Sequence, residues 1–433
     1  MPGPALTAER HAVRSVEEQQ ARVMAAAVAP RPVRVAIAEA QGLMCAEEVV
    51  TERPLPGFDQ AAIDGYAVRS VDIAEVGEGN DSDDLAEVGG IEVRLPVVGE
   101  IEAGARTPSR LQPRQAARVR TGAPMPTLAD AVLPLRWTDG GESKVRVLRS
   151  VRRGAYVRHA GDDVQPGDVA VRAGAIIGAA QVGLLAAVGR ERVLVHPRPR
   201  LSVLSVGSEL VDISRTPGNG QVYDVNSYAL AAAGRDAGAE VTRVGIVSTD
   251  PKELREVVEG HLNRAEVVVI AGAVGGAAAE DVRSALSALG EMDITRVAMH
   301  PGSVQGFGQL GAEGVPTFLL PANPVSALVV FEIMVRPLIR LSLGKRQPMR
   351  RIVEARTLSP ISSVPGRRGY LRGQLMRDQD TDDYLVQVLG APGASSHLLA
   401  TLAEANCLVI VPSDAEQIRT GEIVSAAFLA QRG

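Results

Sequence analysis

The clearest hydrophobic pattern lies between residues 199 and 343, where short apolar runs alternate with amphipathic stretches. Five runs predict strands: 201–207, 239–247, 266–272, 294–299 and 316–320. Four stretches between or after them predict helices: 226–237, 250–262, 280–289 and 323–341. Asp250-Pro251 and Asn323-Pro324 each offer an N-cap followed by a first-turn proline. Strands that alternate with helices predict a parallel sheet covered on both faces.

The rest of the chain has shorter apolar runs and more turn residues. Ser15 to Glu18 forms a capping-box sequence that predicts a helix start. Residues 55–149 predict a β-rich module inserted into a mixed helical segment, 15–54 and 150–198, with a helix at 175–188. Residues 350–430, after a basic linker at 344–351, predict a small β-barrel-like domain. The acidic stretch 71–90 predicts a solvated loop.

Composition excludes several classes of function. A net charge of −5 and only 3% aromatic residues do not favour a nucleic-acid binder, which needs a cationic face. Cys45 and Cys407 form neither a disulfide framework nor a zinc motif, and we expect both to be buried. Since no apolar run approaches the roughly 20 residues of a membrane helix and the N-terminus lacks a signal-peptide pattern, we expect a cytoplasmic protein that does not insert into membranes.

Candidate chemistry clusters where the predicted strands end. Segments 205–209, 271–276 and 321–324 all follow strands, and ligands bind at the carboxyl edge of an open parallel sheet. A helix N-terminus after a glycine-rich turn suits phosphate, although such loops are often plain turns. Asp250 and Asn323 are equally well explained as helix caps. The sequence has no GxSxG, Walker A or GxGxxG segment of the kind that opens a βαβ unit.

Charged residues in loops add further candidates. Asp64, Asp163 and Glu209 lie near glycines and are of the type that holds Mg²⁺, which favours one or two carboxylates plus phosphate oxygens. Arg296, Arg372 and the pair Arg367-Arg368 are candidates for anion binding. For any one of them, a solvated surface position is the commoner explanation.

Six segments in order resemble the hallmark segments of the MoeA/gephyrin E-domain family, and most closely those of actinobacterial MoeA proteins. They are PGFDQAAIDGYAVR (56–69), RVRTGAPMPTLADAV (118–132), HAGDDVQPGD (159–168), LSVLSVGSEL (201–210), GNGQVYDVNSYAL (218–230) and LLPANPVSALVVF (319–331). One such segment is a weak signal, whereas the ordered set, spread over about residues 15–430, is very specific.

The resemblance implies an α/β multidomain fold and an elongated homodimer with four subdomains. These would be I (15–54 and 150–198, mixed linker), II (55–149, β-rich insertion), III (199–343, a three-layer α/β/α molybdopterin-binding domain) and IV (350–430, β-barrel-like). It also implies that adenylylated molybdopterin and molybdate are substrates, that Mg²⁺ is required and AMP is released, and that other molybdenum-cofactor biosynthesis proteins are partners.

The resemblance also assigns roles to individual residues. The catalytic set is Asp64, Thr121, Asp163 and Glu209, with Asp64 and Thr121 facing the partner protomer. The substrate-binding set is Gly272, Gly275, Gly276, Arg296, His300, Ser303, Pro321, Asn323, Pro324, Arg372 and Ser396. The metal set is Asp163, Glu209, Asp250 and Glu280.

The sequence departs from the family pattern around the expected phosphate. The usual Ser-Gly-Gly-Val-Ser-x-Gly loop is replaced by residues 271–277, and the aspartate expected shortly after is Glu280, with Asp281 one place late. The Lys-Pro-Gly-Lys-Pro motif is His300 to Val304, so two lysines are missing. Each lost cation is expected to weaken binding by about 1.5–3 kcal/mol of charge-assisted hydrogen bonding.

Two hypotheses follow. The first is an active molybdopterin molybdotransferase, favoured by the retained Asp64, Thr121, Asp163 and Glu209. The second, favoured by the altered phosphate loop, is a gephyrin-like scaffold that binds the peptide tail of a tubulin-like cell-division protein or a membrane receptor.

Overall fold

The computed structural model describes residues 13–76, 91–105, 110–390 and 399–429. Its contacts divide the chain into two units, Arg34–Val195 and Met1–Val33 with His196–Gly433. This division is coarser than the four predicted subdomains, whose bounds remain a prediction. The predicted acidic loop is described only as far as residue 76, where two short 3₁₀ turns lie, and residues 77–90 are outside the described part.

The predicted N-terminal helix is present as α1, Val16–Ala25. Its capping box is confirmed: Glu18 N donates to Ser15 Oγ at 3.1 Å, and Ser15 N donates to the Glu18 carboxylate at 2.9 Å. Val16 and Val23 are buried in a core shared with the later sheet, so α1 belongs to the unit that contains His196–Gly433.

Within the unit Arg34–Val195, the described part of residues 55–149 is rich in short strands, as predicted. The strands of the unit are β1 Val33–Ala36, β2 Met44–Cys45, β3 Val49–Val50, β4 Gln60–Ala61, β5 Gly65–Val68, β6 Val93–Ile101, β7 Ala116–Val119, β8 Ala131–Pro134, β9 Lys144–Val147, β10 Val157–Arg158, β11 Val169–Val171 and β12 Arg192–His196. Its helix is α2, Ala179–Ala187.

Eight of these strands form two sheets. Strands β8-β5-β7-β6-β9 form a five-stranded sheet over cores that include Tyr66, Leu95 and Leu133. Strands β1-β12-β2 form a smaller sheet that packs with α2. Because this second core draws on residues from both sides of the five-stranded sheet in sequence, the β-rich module is inserted, as predicted.

A large six-stranded sheet lies in the second unit. Its strands are β13 Arg200–Val206, β16 Glu240–Val247, β17 Val267–Val274, β18 Met292–Arg296, β20 Val304–Leu310 and β21 Val315–Pro321; the short β14 Leu210–Val211, β15 Val222–Tyr223 and β19 Met299–His300 lie in its connections. The helices are α3 Asn226–Ala237, α4 Pro251–Leu262, α5 Ala279–Leu286, α6 Pro324–Val330 and α7 Arg336–Ser342, the last two joined by a π-helical turn, Phe331–Val335.

The strand order is β16-β13-β17-β21-β20-β18. The first four strands are parallel, as predicted, but β20 runs antiparallel to both neighbours. The predicted parallel sheet is therefore interrupted by one antiparallel strand, β20, which was not predicted. Successive residues of β17 contribute alternately to two cores: Val267 and Val269 face one, and Val268 and Ile270 face the other. Helices thus cover both faces, and the three-layer prediction is confirmed.

The C-terminal region closes into a barrel. It contains β22 Ile352–Thr357, β23 Ile361–Ser362, β24 Arg368–Arg377, β25 Tyr384–Val388, α8 Leu399–Glu404, β26 Cys407–Val411, β27 Gln417–Ile418 and β28 Ile423–Phe428. Strands β24-β25-β22-β28-β26 pair in that order, and β26 pairs back to β24, so the ring of five is complete. The barrel-like prediction is confirmed.

The described residues contain no helix that is long and apolar enough to span a bilayer. Both cysteines are free and buried, as expected, and burial raises the pKa of the Cys407 thiol to about 12.

Candidate functional site

The carboxyl ends of β13, β17 and β21 meet at one edge of the large sheet. The loops that follow them enclose a cavity of about 230 Å³. It is lined by Val206, Gly207, Ser208, Glu209, Thr249, Gly272, Gly276, Ala277, Ala278, Asp281 and Ala322. The predicted convergence of these segments at the strand ends is thus seen in the structure, as expected for an open parallel sheet.

Gly272 allows β13 and β17 to approach closely at this edge. Its φ is +82°, and a Cβ built on it would lie less than 3.0 Å from the carbonyl oxygen of Val206. No larger side chain fits there without moving one strand. Gly276 lines the cavity, whereas Gly275 is exposed in the same loop and does not.

Two carboxylates line the cavity, those of Glu209 and Asp281. Asp281 lies in the first turn of α5, where the partial positive charge of the helix N-terminus favours an anion. Neither carboxylate has an ion-pair partner within the described ranges. Glu280, the predicted ligand, does not line the cavity; its side chain is 80% exposed and lies 4.0 Å from Arg283.

Asp250 and Asn323 act as helix caps. The Asp250 carboxylate accepts hydrogen bonds from Lys252 N and Glu253 N at 3.0 Å, at the start of α4. Asn323 Oδ1 accepts from Ser326 N at 3.0 Å, with Pro324 next along the chain at the start of α6. Their neighbours Thr249 and Ala322 line the cavity in their place, and Pro321 ends β21 beside it.

Asp224, a buried aspartate that was not predicted as a site residue, stabilises this edge of the sheet. Asp224 is 1% exposed and accepts hydrogen bonds from Ser205 Oγ at 2.8 Å and Ser227 N at 3.0 Å, and also from the Ser227 hydroxyl. It connects the end of β13 to the start of α3. Val222 N donates to Glu209 O at 2.9 Å, so the same segment holds the backbone of Glu209. The burial of an acid beside Ser205 is not visible in sequence alone.

Three predicted phosphate contacts lie near the end of β18 and the start of β20, farther along the same edge of the sheet. Arg296 ends β18 and is exposed, and its carbonyl accepts from Arg14 N at 2.9 Å. His300 lies in β19, which pairs with the barrel strand β24. Ser303 Oγ donates to Val297 O at 3.0 Å. None of the three lines the cavity that contains Glu209.

Two substrate-binding candidates remain, and the structure describes one of them. Arg372 lies in β24, is only 9% exposed, and its pKa is lowered by burial. Ser396 falls outside the described residues.

In the other unit, Asp64 and Thr121 are bonded to each other. The Asp64 carboxylate accepts from Thr121 N and Thr121 Oγ1, each at 2.8 Å. The bond from the Thr121 amide, then that from its hydroxyl, lowers the pKa of Asp64, and Arg120 at 3.4 Å contributes less. The carboxylate is therefore held ionised, with 44% of its side chain exposed.

Asp163 lies in a segment joined to the Asp64 segment by backbone hydrogen bonds. Asp163 N donates to Leu55 O at 2.9 Å, and its carboxylate lies 3.1 Å from Arg158. Nearby, Asp59 pairs with His159 at 3.2 Å, and the amide of Ala160 lowers its pKa. This unit thus assembles the predicted Asp64, Thr121 and Asp163 on adjoining loops.

The donor set at the cavity suits a magnesium ion carried with a phosphate. Among the described residues, no three His, Cys, Asp or Glu side chains are grouped to hold a metal alone. Mg²⁺ is usually bound by one or two carboxylates together with substrate phosphates. Glu209 and Asp281 beside a glycine-rich loop fit that pattern.

Sequence comparisons identify the family. Three family models match in order: the MoeA N-terminal region (domain I and II) over residues 14–189, a probable molybdopterin binding domain over 202–341, and the MoeA C-terminal region (domain IV) over 354–429. Molybdopterin molybdenumtransferase 1 of Mycobacterium tuberculosis is 82% identical over 426 residues, which cover 97% of this chain and 100% of the relative. The chain belongs to the MoeA family.

Other MoeA relatives agree. Molybdopterin molybdenumtransferase 2 of Mycobacterium tuberculosis is 36% identical, covering 94% of this chain and 98% of the relative. Two crystal structures of the molybdopterin biosynthesis MoeA protein of Pyrococcus horikoshii cover 96% of this chain and 99% and 100% of theirs, with TM-scores of 0.78 and 0.73 at 29% and 25% identity. The predicted family and MoeA fold are confirmed. The Glu209 cavity lies within the matched molybdopterin binding domain.

Proposed function

We propose that this protein is a molybdopterin molybdenumtransferase that binds molybdopterin at the Glu209 cavity. The observation that carries the proposal is the pairing of Glu209 and Asp281 around a glycine-rich loop, in the region matched by the molybdopterin binding domain. The name of the 82% identical relative supports the same activity. The comparisons do not favour the scaffold hypothesis.

The glycine-rich loop and the start of α5 supply the phosphate-binding groups. The first amides of a helix have no acceptor within the helix, and the helix dipole favours negative charge at that end. Residues 276–278 lie there and line the cavity. We place the phosphate of the pterin substrate against these amides.

Glu209 and Asp281 would hold Mg²⁺ against that phosphate. A bound Mg²⁺ would neutralise charge on the phosphate oxygens. Asp224 keeps the Glu209 segment in position through the end of β13, and Gly272 keeps the strands close enough to form the cavity floor.

The proposed substrates are adenylylated molybdopterin and molybdate. Water adds to the phosphoanhydride, the bridging P–O bond breaks, and AMP leaves. The two dithiolene sulfurs bond to molybdenum, one oxide of molybdate is displaced, and it departs as water with the two thiol protons. His300 and Ser303 stand where the family has two lysines, so we expect weaker substrate binding than in relatives that retain those lysines.

We further propose that the protein acts as a homodimer in which Asp64, Thr121 and Asp163 of one protomer complete the cleft of the other. The hydrogen bonds from Thr121 hold the Asp64 carboxylate ionised and in a fixed position. The dimer, partners in the biosynthetic pathway and a cytoplasmic location remain predictions.

The test is AMP release from adenylylated molybdopterin in the presence of molybdate and Mg²⁺, with two neighbouring substitutions. Asp281→Asn removes a carboxylate that lines the cavity, and Glu280→Gln removes one that does not. We expect Asp281→Asn to lower the rate by about 100-fold, equivalent to about 2.7 kcal/mol. We expect Glu280→Gln to stay within about twofold of the unmodified protein.

Two results would contradict the proposal. One is a folded, unmodified protein that releases no AMP above a buffer blank. The other is an equal rate for the two variants, which would show that the charge at Asp281 does not act on the substrate.

A further inference from the structure

A second, larger cavity lies where α7 passes into the barrel. It has a volume of about 990 Å³. It is lined by Asp236, Arg336, Arg340, Arg346, Gln347, Pro348, Met349, Arg350, Arg351, Ile352, Phe428 and Leu429. It shares no lining residue with the Glu209 cavity, and none of the family motifs in the sequence accounts for it.

The lining is strongly cationic. Five arginines contribute to it, and Asp236 is its one acidic lining residue among those described. Glu332 lies behind the arginines, 2.9 Å from Arg350 and 3.7 Å from Arg336. Five guanidinium groups against two carboxylates leave an excess of three positive charges.

Both carboxylates are already engaged by one arginine. Arg350 donates to Glu332 at 2.9 and 3.1 Å and to Asp236 at 2.8 Å. Arg336 donates through Nη1 to Pro348 O at 3.2 Å, but its side chain is only 8% exposed. Burial lowers the pKa of Arg336, and the charge of Arg350 lowers it further.

Two buried donors in this cluster lack an acceptor. Arg336 Nε and Arg340 Nε are inaccessible to solvent, and neither has a hydrogen-bond partner among the described residues. An unsatisfied buried donor is costly, more so when it carries charge. An anion in the cavity would contact the guanidinium groups that line it and offset the repulsion between the arginines.

We propose that this arginine cavity binds a small anion that carries a phosphate group. The planar guanidinium fork matches phosphate oxygens in pairs, which favours phosphate over a spherical anion such as chloride. The volume falls within the range of small-molecule sites, so it accommodates a free phosphate or the phosphate of a nucleotide. This site is independent of the proposed transferase activity.

The test compares binding to three variants of the full chain by calorimetry at constant ionic strength. Arg340→Gln with Arg346→Gln removes two charges from the cavity while leaving the Arg350 ion pairs intact. Arg419→Gln removes an exposed arginine from elsewhere in the barrel. The probes are inorganic phosphate and AMP, titrated separately to distinguish free phosphate from a nucleotide.

We expect the double variant to lose at least tenfold in phosphate affinity and Arg419→Gln to bind as the unmodified protein does. The variant with Arg346→Gln alone, a change at an exposed position, should fold normally and lose about threefold in phosphate affinity. If AMP shows a larger arginine-dependent affinity than phosphate, the ligand is a nucleotide. Affinities that are equal in all variants, or no binding of either probe, would overturn the proposal.

Discussion

Replacing Gly272 by alanine tests how the candidate site is built. The added methyl group would meet the Val206 carbonyl, and the backbone would keep a φ of +82° that L-residues avoid. Gly275 in the same loop has a φ of +71° but nothing within 4 Å of a built Cβ. Gly275→Ala is therefore a matched control that carries the backbone strain without the overlap.

The expected loss of local stability in Gly272→Ala has two parts. Left-handed backbone costs an alanine about 1–2 kcal/mol in both variants. In Gly272→Ala, relieving the overlap must also separate the ends of β13 and β17, where Ser205 is paired with Ala271. Losing one or two terminal hydrogen bonds adds roughly 0.5–1.5 kcal/mol each. Gly272→Ala should therefore destabilise this edge by about 1.5–5 kcal/mol in total.

Hydrogen exchange on peptides covering β13 and β17 measures this local cost. We expect protection there to fall roughly tenfold or more in Gly272→Ala, following about tenfold per 1.4 kcal/mol. AMP release should fall in parallel, and Gly275→Ala, which carries only the backbone strain, should change both less. Equal loss of protection in the two variants would show that the contact with Val206 does not constrain the sheet, and the reasoning would fail.

Three further predictions address the other parts of the site. Asp224→Ala leaves the buried Ser205 hydroxyl without its acceptor and should lower stability by about 3 kcal/mol, measured by urea unfolding, whereas Asp224→Asn should cost less. Mixing Asp64→Asn and Glu209→Gln protomers should restore about one quarter of the normal AMP release if the cleft is shared across a two-fold dimer, because half of the dimers are then mixed and each mixed dimer holds one intact cleft out of two. If the cleft is not shared, mixing should restore no activity. Burial lowers the pKa of His261 below its ordinary value of 6.5, so the unfolded chain takes up its proton first as pH falls; stability should drop below about pH 6.5, and His261→Gln should flatten that drop in thermal melts.

Sequence reasoning was most accurate where structure is encoded locally. Helix α3 ends at Ala237 before Gly238, and α4 begins after the Asp250 cap, as predicted. It failed for β20, because Gly306 and Gly308 weaken the strand pattern. In the structure those glycines make room for neighbours: a Cβ at Gly306 would crowd Leu319, and one at Gly308 would crowd Met292. That requirement is a contact between strands and has no trace in local sequence.

Which of two adjacent acids supplies the second carboxylate at the cavity depends on the direction each faces from helix α5. Helix α5 was predicted to begin at residue 280 and begins at Ala279. Each residue turns an α-helix by about 100°, so adjacent positions face different directions. Asp281 therefore lines the cavity while Glu280 is exposed to solvent. Sequence alone names the pair of acids but does not fix which one faces the ligand.

At this edge of the sheet, Asp250 and Asn323 stabilise helix starts and are not free to bind a ligand through their capping oxygens. Asp250 and Asn323 have the right composition for ligands, yet their side-chain oxygens are occupied by the amides that begin α4 and α6. These caps satisfy two helix starts internally, whereas Ala278, which precedes α5, makes no side-chain cap, and this difference favours the proposed phosphate site at the start of α5. An uncapped helix start beside two unpaired carboxylates would suit a magnesium-bound phosphate. For this reason we propose the loop between Gly272 and Asp281 as the phosphate-binding site.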